Sequence, residues 1–595
     1  MSKKNLKQPT FIPMSREEMH ILGWDSLDIL LITGDAYVDH PAFGVALLGR
    51  WLISYGYKVG ICAQPHWQNT NDIIRMGKPN LFIGVTAGSL DSQLAHYTAF
   101  RKKRSDDSYT PGGRAGARPN RASIIYSNLA KQAFPDLPIV LGGIEASLRR
   151  ISHYDFWTDS LRRSILLDAK AHLLIYGMGE QAILEVADNC SQGLPLQNIN
   201  GTAWIDKVDK KQNYKYLPSH EEILTQNSLL IDATLMLEKH VHSGKECLRQ
   251  NYNTRDLYIA PPAKLLSSQE LDSLYALPFQ RIAHPIYKET IPAEEMLHTS
   301  MTSHRGCGGG CAFCSLALHQ GRKLTSRSAK SLMDEAKKIT KKKKFKGSIS
   351  DVGGPTANMW QGTCTNNGFC SRYSCCHPNV CKFFYTPQKK YIELLRNIKN
   401  IEGIKHVRIA SGIRADVAIK DPLAIRAYTE EFTGGQLKIA PEHNVPEVLK
   451  LMRKPTLNVF ENFLKNFEKH CHSMGREQYV VPYLMSAYPG CTEEHMHELA
   501  SWLSKRNWKP QQVQCFIPTP GTVATAMYYT GLNTQKEPIY VARTDAERLR
   551  QHRILMPNVG RISAKQGKKI QKTETSKLST DENCNKKVYK RKKHA

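Results

Sequence analysis

The chain alternates short apolar runs with stretches of helical period, in two long blocks separated by a more polar middle part. The first block extends from about Trp24 to Glu180, and its apolar runs include LDILLITG, YKVGICA, NLFIGVTAG, PIVLGG and AHLLIYGMGE. Strands of a parallel sheet give such continuous runs because helices cover both faces of the sheet. The pattern predicts an α/β fold with a doubly wound parallel sheet over residues 24–188, after an N-terminal extension over residues 1–23.

The second block begins near residue 293, and six apolar runs alternate with helical stretches in it. These runs are LHTSMTS, GSISDVGG, HVRIASG, QLKIAPE, QYVVPYLMSAYPG and QVQCFIP. Six strands with helical crossovers predict an open or partial (β/α) barrel, in which the strand ends meet at one mouth. We therefore expect a barrel core over residues 293–558, preceded by a connecting region over residues 189–292 and followed by a basic, disordered tail over residues 559–595.

The composition limits where such a chain works and what it binds. No run of about 18 apolar residues is present, so we expect no transmembrane helix. The charged N-terminus lacks the apolar segment of a signal peptide, which predicts a cytoplasmic protein. Thiols stay reduced there, so the 15 cysteines indicate metal or redox chemistry rather than disulfides. The net charge of +28 predicts either contact with RNA or, as the favoured interpretation, solvated lysine-rich surfaces.

Three cysteines stand close together in SHRGCGGGCAFCSLALHQGR, directly after the first strand of the second block. Cys307, Cys311 and Cys314 are separated by three and then two residues. Cysteine thiolates are the usual ligands of iron–sulfur clusters, and three of them on a four-iron cubane leave one iron without a protein ligand. The spacing therefore predicts an open metal position that a substrate or cofactor fills. A zinc site completed by His304 or His319 is the alternative, although structural zinc usually shows two paired half-sites.

The CxxxCxxC spacing, with Phe313 before the last cysteine, resembles the cluster motif of the radical S-adenosylmethionine (SAM) superfamily. The resemblance implies that Cys307, Cys311 and Cys314 hold a 4Fe–4S cluster, and that SAM binds the fourth iron through its amino and carboxylate groups. It also implies a one-electron donor, such as a flavodoxin or ferredoxin, whose electron splits a carbon–sulfur bond of SAM. The adenosyl radical then takes a hydrogen atom from the substrate.

Further residues at the predicted strand ends resemble SAM-binding positions of that superfamily. Gly353 and Gly354 in ISDVGGPTAN stand where the superfamily commonly has GGE, with Pro355 in place of the acidic residue. Ser411 and Arg414 in VRIASGIRAD would reach the ribose or the carboxylate of SAM. Four residues on the same predicted rim, with either a ligand-binding or a structural role, are Glu442, His443, Ser486 and Tyr488.

A second group of cysteines lies in CTNNGFCSRYSCCHPNVC, and the Asn, Ser, Gly and Pro content of this segment predicts a loop. Four of its thiols would suffice for a second iron–sulfur cluster or a zinc ion, and His377 is a further candidate ligand. A metal-free loop with reduced thiols is the other interpretation. The five cysteines are Cys364, Cys370, Cys375, Cys376 and Cys381.

Long motifs throughout the chain resemble the YgiQ family of radical SAM proteins, from about Pro13 to about Gly531. They include RSDDSYTPGGRAGARPNRA, GGIEASLRRISHYDFW, RRSILLDAKAHLLIYGMGE, RGCGGGCAFCSLALHQGR and DVGGPTANMW. The resemblance implies a cobalamin-binding-like N-terminal sheet followed by a radical SAM barrel, and it supplies no substrate.

Two N-terminal features bear on a ligand of the first domain. Base-off cobalamin binding requires D-x-H-x-x-G, whereas Asp39 here directly precedes His40, so we do not expect His40 to ligate cobalamin. The stretch RKKRSDDSYTPGGRAGARPNR is basic and glycine-rich, and it predicts either an anion site or a solvated loop.

The leading hypothesis is a radical SAM enzyme that cleaves SAM reductively and abstracts hydrogen from an unknown substrate. The main alternative is an iron–sulfur electron carrier or redox sensor, which would have a fully ligated cluster and would not cleave SAM. A zinc-stabilised nucleic-acid-binding protein is a third hypothesis, and it predicts binding that weakens steeply with salt.

Overall fold

The computed structural model describes residues 6–207, 214–366, 368 and 370–558 of the chain. The tail over residues 559–595, for which we expect disorder, lies outside these ranges. No helix in the described ranges is both long enough and apolar enough to span a bilayer.

The first half is built on a nine-stranded sheet. Five strands at one side are parallel, and they lie in the order second, first, third, fourth, fifth, which is one of the doubly wound orders. The strand Ile29–Thr33 is buried along its whole length because it is flanked on both edges and covered on both faces. This confirms the predicted doubly wound sheet. In spatial order the parallel strands are Val59–Ala63, Ile29–Thr33, Phe82–Thr86, Ile139–Gly142 and Leu173–Ile175.

The segment that we expected to be a connecting region continues the same sheet. The strand Thr202–Lys207 pairs antiparallel with Leu173–Ile175, and three more strands extend the sheet beyond it. They are Arg255–Ile259, Leu248–Tyr252 and Lys215–Tyr216. These strands are difficult to predict from the sequence because they contain charged residues. Arg249 and Asp256 are buried because they form an ion pair at 2.5 Å across two of the strands.

Helices connect the strands of the first half, and a short hairpin of His153–Asp155 and Ser160–Arg162 stands beside the sheet. The indole Nε1 of Trp51 donates to the carbonyl oxygen of Glu180 at 3.1 Å, which ties the first long helix to the last one that follows a parallel strand. The helices are Arg16–Ile21, Gly44–Ser54, Asn71–Ile74, Ser92–His96, Ala122–Ala133, Gly143–Leu148, Ile165–Ala169, Glu180–Gln192, His220–Thr225, Leu229–Ser243 and Ser268–Ala276, with a 3₁₀ turn at Pro111–Gly113.

All six predicted strands of the second half form, and their pairs are parallel. Ser300–Thr302 pairs with Asp351–Gly353, and Ser348–Ile349, in the same predicted run, pairs with His406–Val407. Gln436–Glu442 pairs with Tyr479–Ser486, which pairs in turn with Gln514–Cys515. Parallel strands joined by helices give the partial barrel that the sequence predicts.

The helices of the barrel bury one apolar face. In Leu457–Ser473, for example, Phe460, Phe463, Leu464 and Phe467 recur at a spacing of three or four residues and are buried. The others are Pro292–Leu297, Ser315–Gln320, Ala329–Thr340, Gln388–Lys399, Ala415–Ala418, Pro422–Ala427, Pro446–Met452, Glu493–Ser504, Val523–Thr530 and Asp545–Leu555, with a π-helix at Tyr428–Phe432 and a 3₁₀ turn at Ala357–Met359.

The two halves are packed together through buried charge pairs. Arg305 pairs with Glu180, and Arg281 pairs with Glu335 at 2.5 Å, with these side chains about nine-tenths buried or more. His319 Nδ1 also lies 3.0 Å from the Ser147 hydroxyl. The start of the barrel is therefore fixed against the carboxyl edge of the N-terminal sheet.

Candidate functional site

The three-cysteine loop lies between a short strand and a short helix. The strand His304–Arg305 pairs antiparallel with Thr325–Ser326, Cys307 follows it, and Cys314 is the N-cap of the helix Ser315–Gln320. Burial raises the pKa of the Cys314 thiol to about 12, and negative charge on Cys311 and Cys307 adds to the rise. The three thiols thus lie within electrostatic range of each other.

The glycines of this loop are required by close packing. A Cβ at Gly308 would lie 2.7 Å from the ring of Phe384, and one at Gly310 would lie 2.2 Å from the carbonyl oxygen of Tyr373. Gly310 also has φ +57, which disfavours any side chain. The loop is therefore held in one conformation between neighbouring segments.

The donors around the thiols fit a thiolate-bound cluster. The amide of Gly309 donates to Cys307 Sγ at 3.4 Å, and Arg414 Nη1 donates to Cys311 Sγ at 3.7 Å. Among residues 6–207, 214–366, 368 and 370–558, no three His, Cys, Asp or Glu side chains are placed to share a single metal ion. A cubane does not need such convergence, because each of its thiolates binds a different iron.

Arg414 is held against the cysteine loop by two side chains. Its guanidinium contacts Asp416 at 2.5 and 3.0 Å, and its backbone NH and carbonyl both bond to the amide side chain of Asn358, at 2.9 and 3.1 Å. Burial opposes the charge of Arg414, but Asp416 and the thiols of Cys376 and Cys311 raise its pKa well above the usual value. The predicted site residue Arg414 is therefore a buried cation beside the three cysteines.

Gly353, Gly354 and Ser411 come together at the ends of neighbouring strands. A Cβ at Gly353 would lie 2.0 Å from Ser411 Oγ, and one at Gly354 would lie 2.7 Å from the carbonyl oxygen of His304. The Ser411 amide and hydroxyl donate to Asp351 at 3.0 and 3.1 Å. Asp351 thus fixes Ser411 beside the glycine pair, whose backbone faces its neighbours without an intervening side chain.

Glu442 ends the strand Gln436–Glu442 in an unusual backbone conformation. Its φ is +68, which costs a side-chain-bearing residue on the order of 1–3 kcal/mol and is typical of functional sites. Burial raises the pKa of Glu442, against the nearby charges of Lys454, whose Nζ lies 3.7 Å away, and Arg414. The strain lies in the backbone of Glu442, and its buried carboxylate lies within electrostatic range of Lys454 and Arg414.

The other predicted rim residues make packing contacts. His443 Nε2 lies 3.6 Å from Cys491 Sγ, and the Ser486 hydroxyl lies 2.9 Å from Nδ1 of His552. Phe313 and Tyr488 have ring centroids 6.2 Å apart in an edge-on arrangement. The roles predicted for Phe313, Gly353, Gly354, Ser411 and Arg414 in binding SAM stay predictions.

The second cysteine segment is folded onto the first. The Cys375 amide donates to the Gly308 carbonyl at 2.8 Å, and the Ser374 hydroxyl donates to the Gly309 carbonyl at 2.5 Å. Cys376 is fully buried in a small apolar cluster that Cys307 contacts. The predicted loop therefore supports the three-cysteine loop from behind.

The remaining four cysteines of this segment line a large cavity between the two halves of the chain. The cavity has a volume of about 1280 Å³, and Cys364, Cys370, Cys375 and Cys381 contribute to its wall. Burial raises the pKa of Cys375 to about 11; Arg322 opposes the rise and the other three thiols add to it. Lysines and arginines dominate its charged lining: Lys215, Lys239, Lys245, Lys264, Arg305, Arg322, Lys323 and Arg372.

The carboxyl ends of the first parallel strands are filled by ion pairs. Asp39 binds Arg50 at 2.5 Å, and Arg118, from the basic glycine-rich stretch, lies between Asp35 and Asp107 at 3.0 and 2.9 Å. All five side chains are buried. Arg118 of the basic stretch is therefore engaged inside the domain.

Sequence reasoning missed several residues that shape the site. Some of them contact partners that are distant in the chain, and others are ordinary polar residues within their motifs. The missed residues are Asp351, Asn358, Asp416, Lys454 and Arg322. Asp351 and Asn358 stand in ISDVGGPTAN, and Asp416 ends VRIASGIRAD, so these three lay within motifs that the sequence analysis singled out.

A family model described as Radical SAM N-terminal matches residues 11–300, and a domain of unknown function, DUF3362, matches residues 511–557. The UPF0313 protein GSU2873 of Geobacter sulfurreducens is 46% identical, over 92% of this chain and 92% of that protein. The UPF0313 protein of Thermotoga maritima is 45% identical, over 90% and 96%. The UPF0313 protein YgiQ of Escherichia coli is 41% identical, over 92% and 83%.

Two solved structures resemble the fold at low sequence identity. The radical SAM methyltransferase TsrM of Kitasatospora setae, with cobalamin and a 4Fe–4S cluster bound, gives a TM-score of 0.49 at 14% identity, over 84% of this chain and 74% of that chain. The cobalamin-dependent SAM radical enzyme OxsB gives a TM-score of 0.45 at 12% identity, over 91% and 57%.

The doubly wound sheet, the partial barrel and the three-cysteine loop together define a protein of the radical SAM class. The three UPF0313 relatives each match 90% or more of this chain. The chain belongs to the UPF0313 family of radical SAM proteins, which includes YgiQ.

Proposed function

We propose that the protein is a radical SAM enzyme that cleaves SAM reductively and abstracts a hydrogen atom from a substrate still to be identified. Cys307, Cys311 and Cys314 would hold a 4Fe–4S cluster, and SAM would occupy the remaining iron. When bound, this pair supplies the one-electron cleavage of a carbon–sulfur bond. The observation that carries the proposal is the position of Arg414 beside the cysteine loop and near Glu442 at a strand end.

The residues of the chain have separate tasks in this proposal. The Gly309 amide and Arg414 donate to thiolate sulfur and so stabilise negative charge on the cluster. The space where side chains of Gly353 and Gly354 would lie is taken by Ser411 and His304. In this proposal the backbone groups of the two glycines contact the amino acid part of SAM, and Ser411 and Glu442 offer polar atoms. The partners would be SAM, the substrate and a one-electron donor such as a flavodoxin or ferredoxin.

We also infer a cytoplasmic location. All fourteen cysteines that the structure describes are free thiols, as expected where thiols stay reduced. Contact of the basic tail with RNA stays a prediction, because the tail lies outside the described residues.

The test is SAM cleavage under anaerobic conditions. Purified protein is reconstituted with iron and sulfide, reduced and mixed with SAM, and 5′-deoxyadenosine is measured. We expect product from the unaltered chain and none from Cys311→Ala, which should also lose its cluster. Cys190→Ser, in a partly buried helix of the N-terminal half, is the control and should keep both. Failure of the unaltered chain to make product, or full iron and sulfide at the first site in Cys311→Ala, would contradict the proposal.

One observation favours the electron-carrier alternative. Cys375 and Cys376 both belong to the buried cluster that Cys307 packs against, and Cys376 does not line the cavity, so a carrier would use the Cys376 thiol to cap the fourth iron. A capped cluster would leave no place for SAM. The proposed enzyme therefore requires that Cys376→Ser leaves the iron content and the yield of 5′-deoxyadenosine unchanged, whereas a carrier would lose an iron ligand and would make no product before or after the change.

A further inference from the structure

Four cysteines that the proposed function does not use are brought to one place by the fold. Thr363–Cys364 pairs antiparallel with Phe384–Tyr385, which sets Cys364 opposite Phe384. The Cys381 amide donates to the Cys375 carbonyl at 2.8 Å, and the Phe384 amide donates to the Cys381 carbonyl at 3.0 Å. These bonds close the segment into a compact loop, and Cys364, Cys370, Cys375 and Cys381 all line the same cavity.

A buried cation faces the same cavity. Arg322 is only 6% exposed, lines the cavity wall and lies close enough to Cys375 to affect its thiol. Within the described part of the chain, neither Nε nor Nη1 of Arg322 has a hydrogen-bond partner. Burying a guanidinium with two unpaired nitrogens is unfavourable, which indicates that an anion completes this site.

We propose that Cys364, Cys370, Cys375 and Cys381 bind a second 4Fe–4S cluster, fully ligated by the protein, with Arg322 as its cationic neighbour. Four thiolates give such a cluster a net negative charge. The cluster would therefore be the anion that completes the site of Arg322. Four thiolates are the usual ligand set of a 4Fe–4S cluster, and zinc in its place is one of the outcomes that the experiment below separates.

The second cluster would be adjacent to the first one. Cys375 lines the cavity and also belongs, with Cys376, to the buried cluster that Cys307 packs against. The Cys375 amide is also bonded to Gly308 of the first loop. We assign the second cluster the role of an electron relay. An external one-electron donor is oxidised by one electron, the second cluster is reduced and then reoxidised, and the first cluster is reduced, with no bond made or broken.

The relay rests on the proposed function, but the cluster itself does not. Iron and acid-labile sulfide are therefore measured on the full chain after anaerobic reconstitution, for two sets of changes. We expect about eight iron ions per unaltered chain, and about four in a variant with Cys307, Cys311 and Cys314 changed to Ala. The complementary variant, with Cys364, Cys370, Cys375 and Cys381 changed to Ser, should also hold about four. Cys190→Ser is the matched control and should hold about eight.

The outcomes separate the two proposals. Iron retained in the variant without the first site supports the second cluster even if the protein never cleaves SAM. An absence of iron from that variant, or one zinc ion in its place, would overturn the second cluster. Because the four-serine variant could misfold, Cys370→Ser alone is also tested, and its electron paramagnetic resonance spectrum should lose the second signal only. The relay is tested by measuring 5′-deoxyadenosine formation in Cys370→Ser and in the unaltered chain. Relative to the unaltered chain, the variant should form product more slowly with flavodoxin as the electron donor and at the same rate with dithionite. A variant that matches the unaltered chain with both donors would overturn the relay.

Discussion

Arg414 Nη1 lies 3.7 Å from Cys311 Sγ while the same guanidinium is bonded to Asp416. A cation next to a cluster thiolate stabilises the reduced, more negative state of the cluster. If the proposed cluster is bound, the guanidinium of Arg414 would therefore make the first site easier to reduce.

Replacing Arg414 should lower the reduction potential of the first cluster. We expect Arg414→Gln to keep its iron but to shift the midpoint potential downward by about 60 mV or more, a tenfold change for one electron. A spectroscopic redox titration measures it. The control is Arg426→Gln, because the exposed side chain of Arg426 pairs with Glu430 of the adjoining π-helix; it should not shift the potential. A higher or unchanged potential in Arg414→Gln would contradict the assigned electrostatic role.

Gly310 should not tolerate a methyl group. Its Cβ would meet the Tyr373 carbonyl at 2.2 Å, in addition to the strain of φ +57. Gly475 has a similar φ of +61 but open space around it, so Gly475→Ala should cost only about 1–2 kcal/mol. Gly310→Ala should cost more and should lose iron from the first site. Thermal unfolding and iron content are the measurements, and equal effects at the two positions would show that the contact with Tyr373 is unimportant.

Acid should destabilise the fold through a buried histidine. Burial lowers the pKa of His443 to about 3, from an unfolded value near 6.5. Between these values the unfolded chain binds a proton that the folded chain does not, so stability is lost as the pH falls from 6.5 toward 3, by up to about 1.4 kcal/mol per pH unit.

The variant His443→Gln removes this titration. The melting temperature of the variant should therefore depend less on pH in that window than the melting temperature of the unaltered chain. The exposed His497→Gln is the control and should leave the pH dependence as it is. A steeper dependence in His443→Gln would show that the histidine is protonated in the folded state.

Arg322 should tune the proposed second cluster without holding it. Arg322→Gln removes the buried cation but no iron ligand, so we expect full iron content and a lower potential for the second cluster alone. The control is Lys330→Gln, because the exposed side chain of Lys330 pairs with Asp334 within a helix and does not line the cavity; it should leave both potentials unchanged. A shift of the first cluster instead would place Arg322 beside the wrong site.

Local patterns in the sequence predicted the parallel strands, the six barrel strands and the three-cysteine loop. These elements were predictable because each is marked by a few neighbouring residues, namely a continuous apolar run, glycines or clustered thiols. The four strands from Thr202 to Ile259 were hidden, since Arg249 and Asp256 bury their charges against each other. Contacts such as Asp351 with Ser411, and Gly308 with Phe384, join segments that are far apart in the chain, so no local pattern reveals them.

The pairing of Arg305 with Glu180 has a consequence for how the chain must be handled. Arg305 lies just before Cys307, and its partner begins the helix that follows the last parallel strand of the N-terminal sheet. Separating the two halves would leave the charge of Arg305 buried without its partner at the base of the three-cysteine loop, at a cost of about 3–5 kcal/mol. The barrel is therefore not an autonomous catalytic module; the N-terminal sheet is part of its foundation.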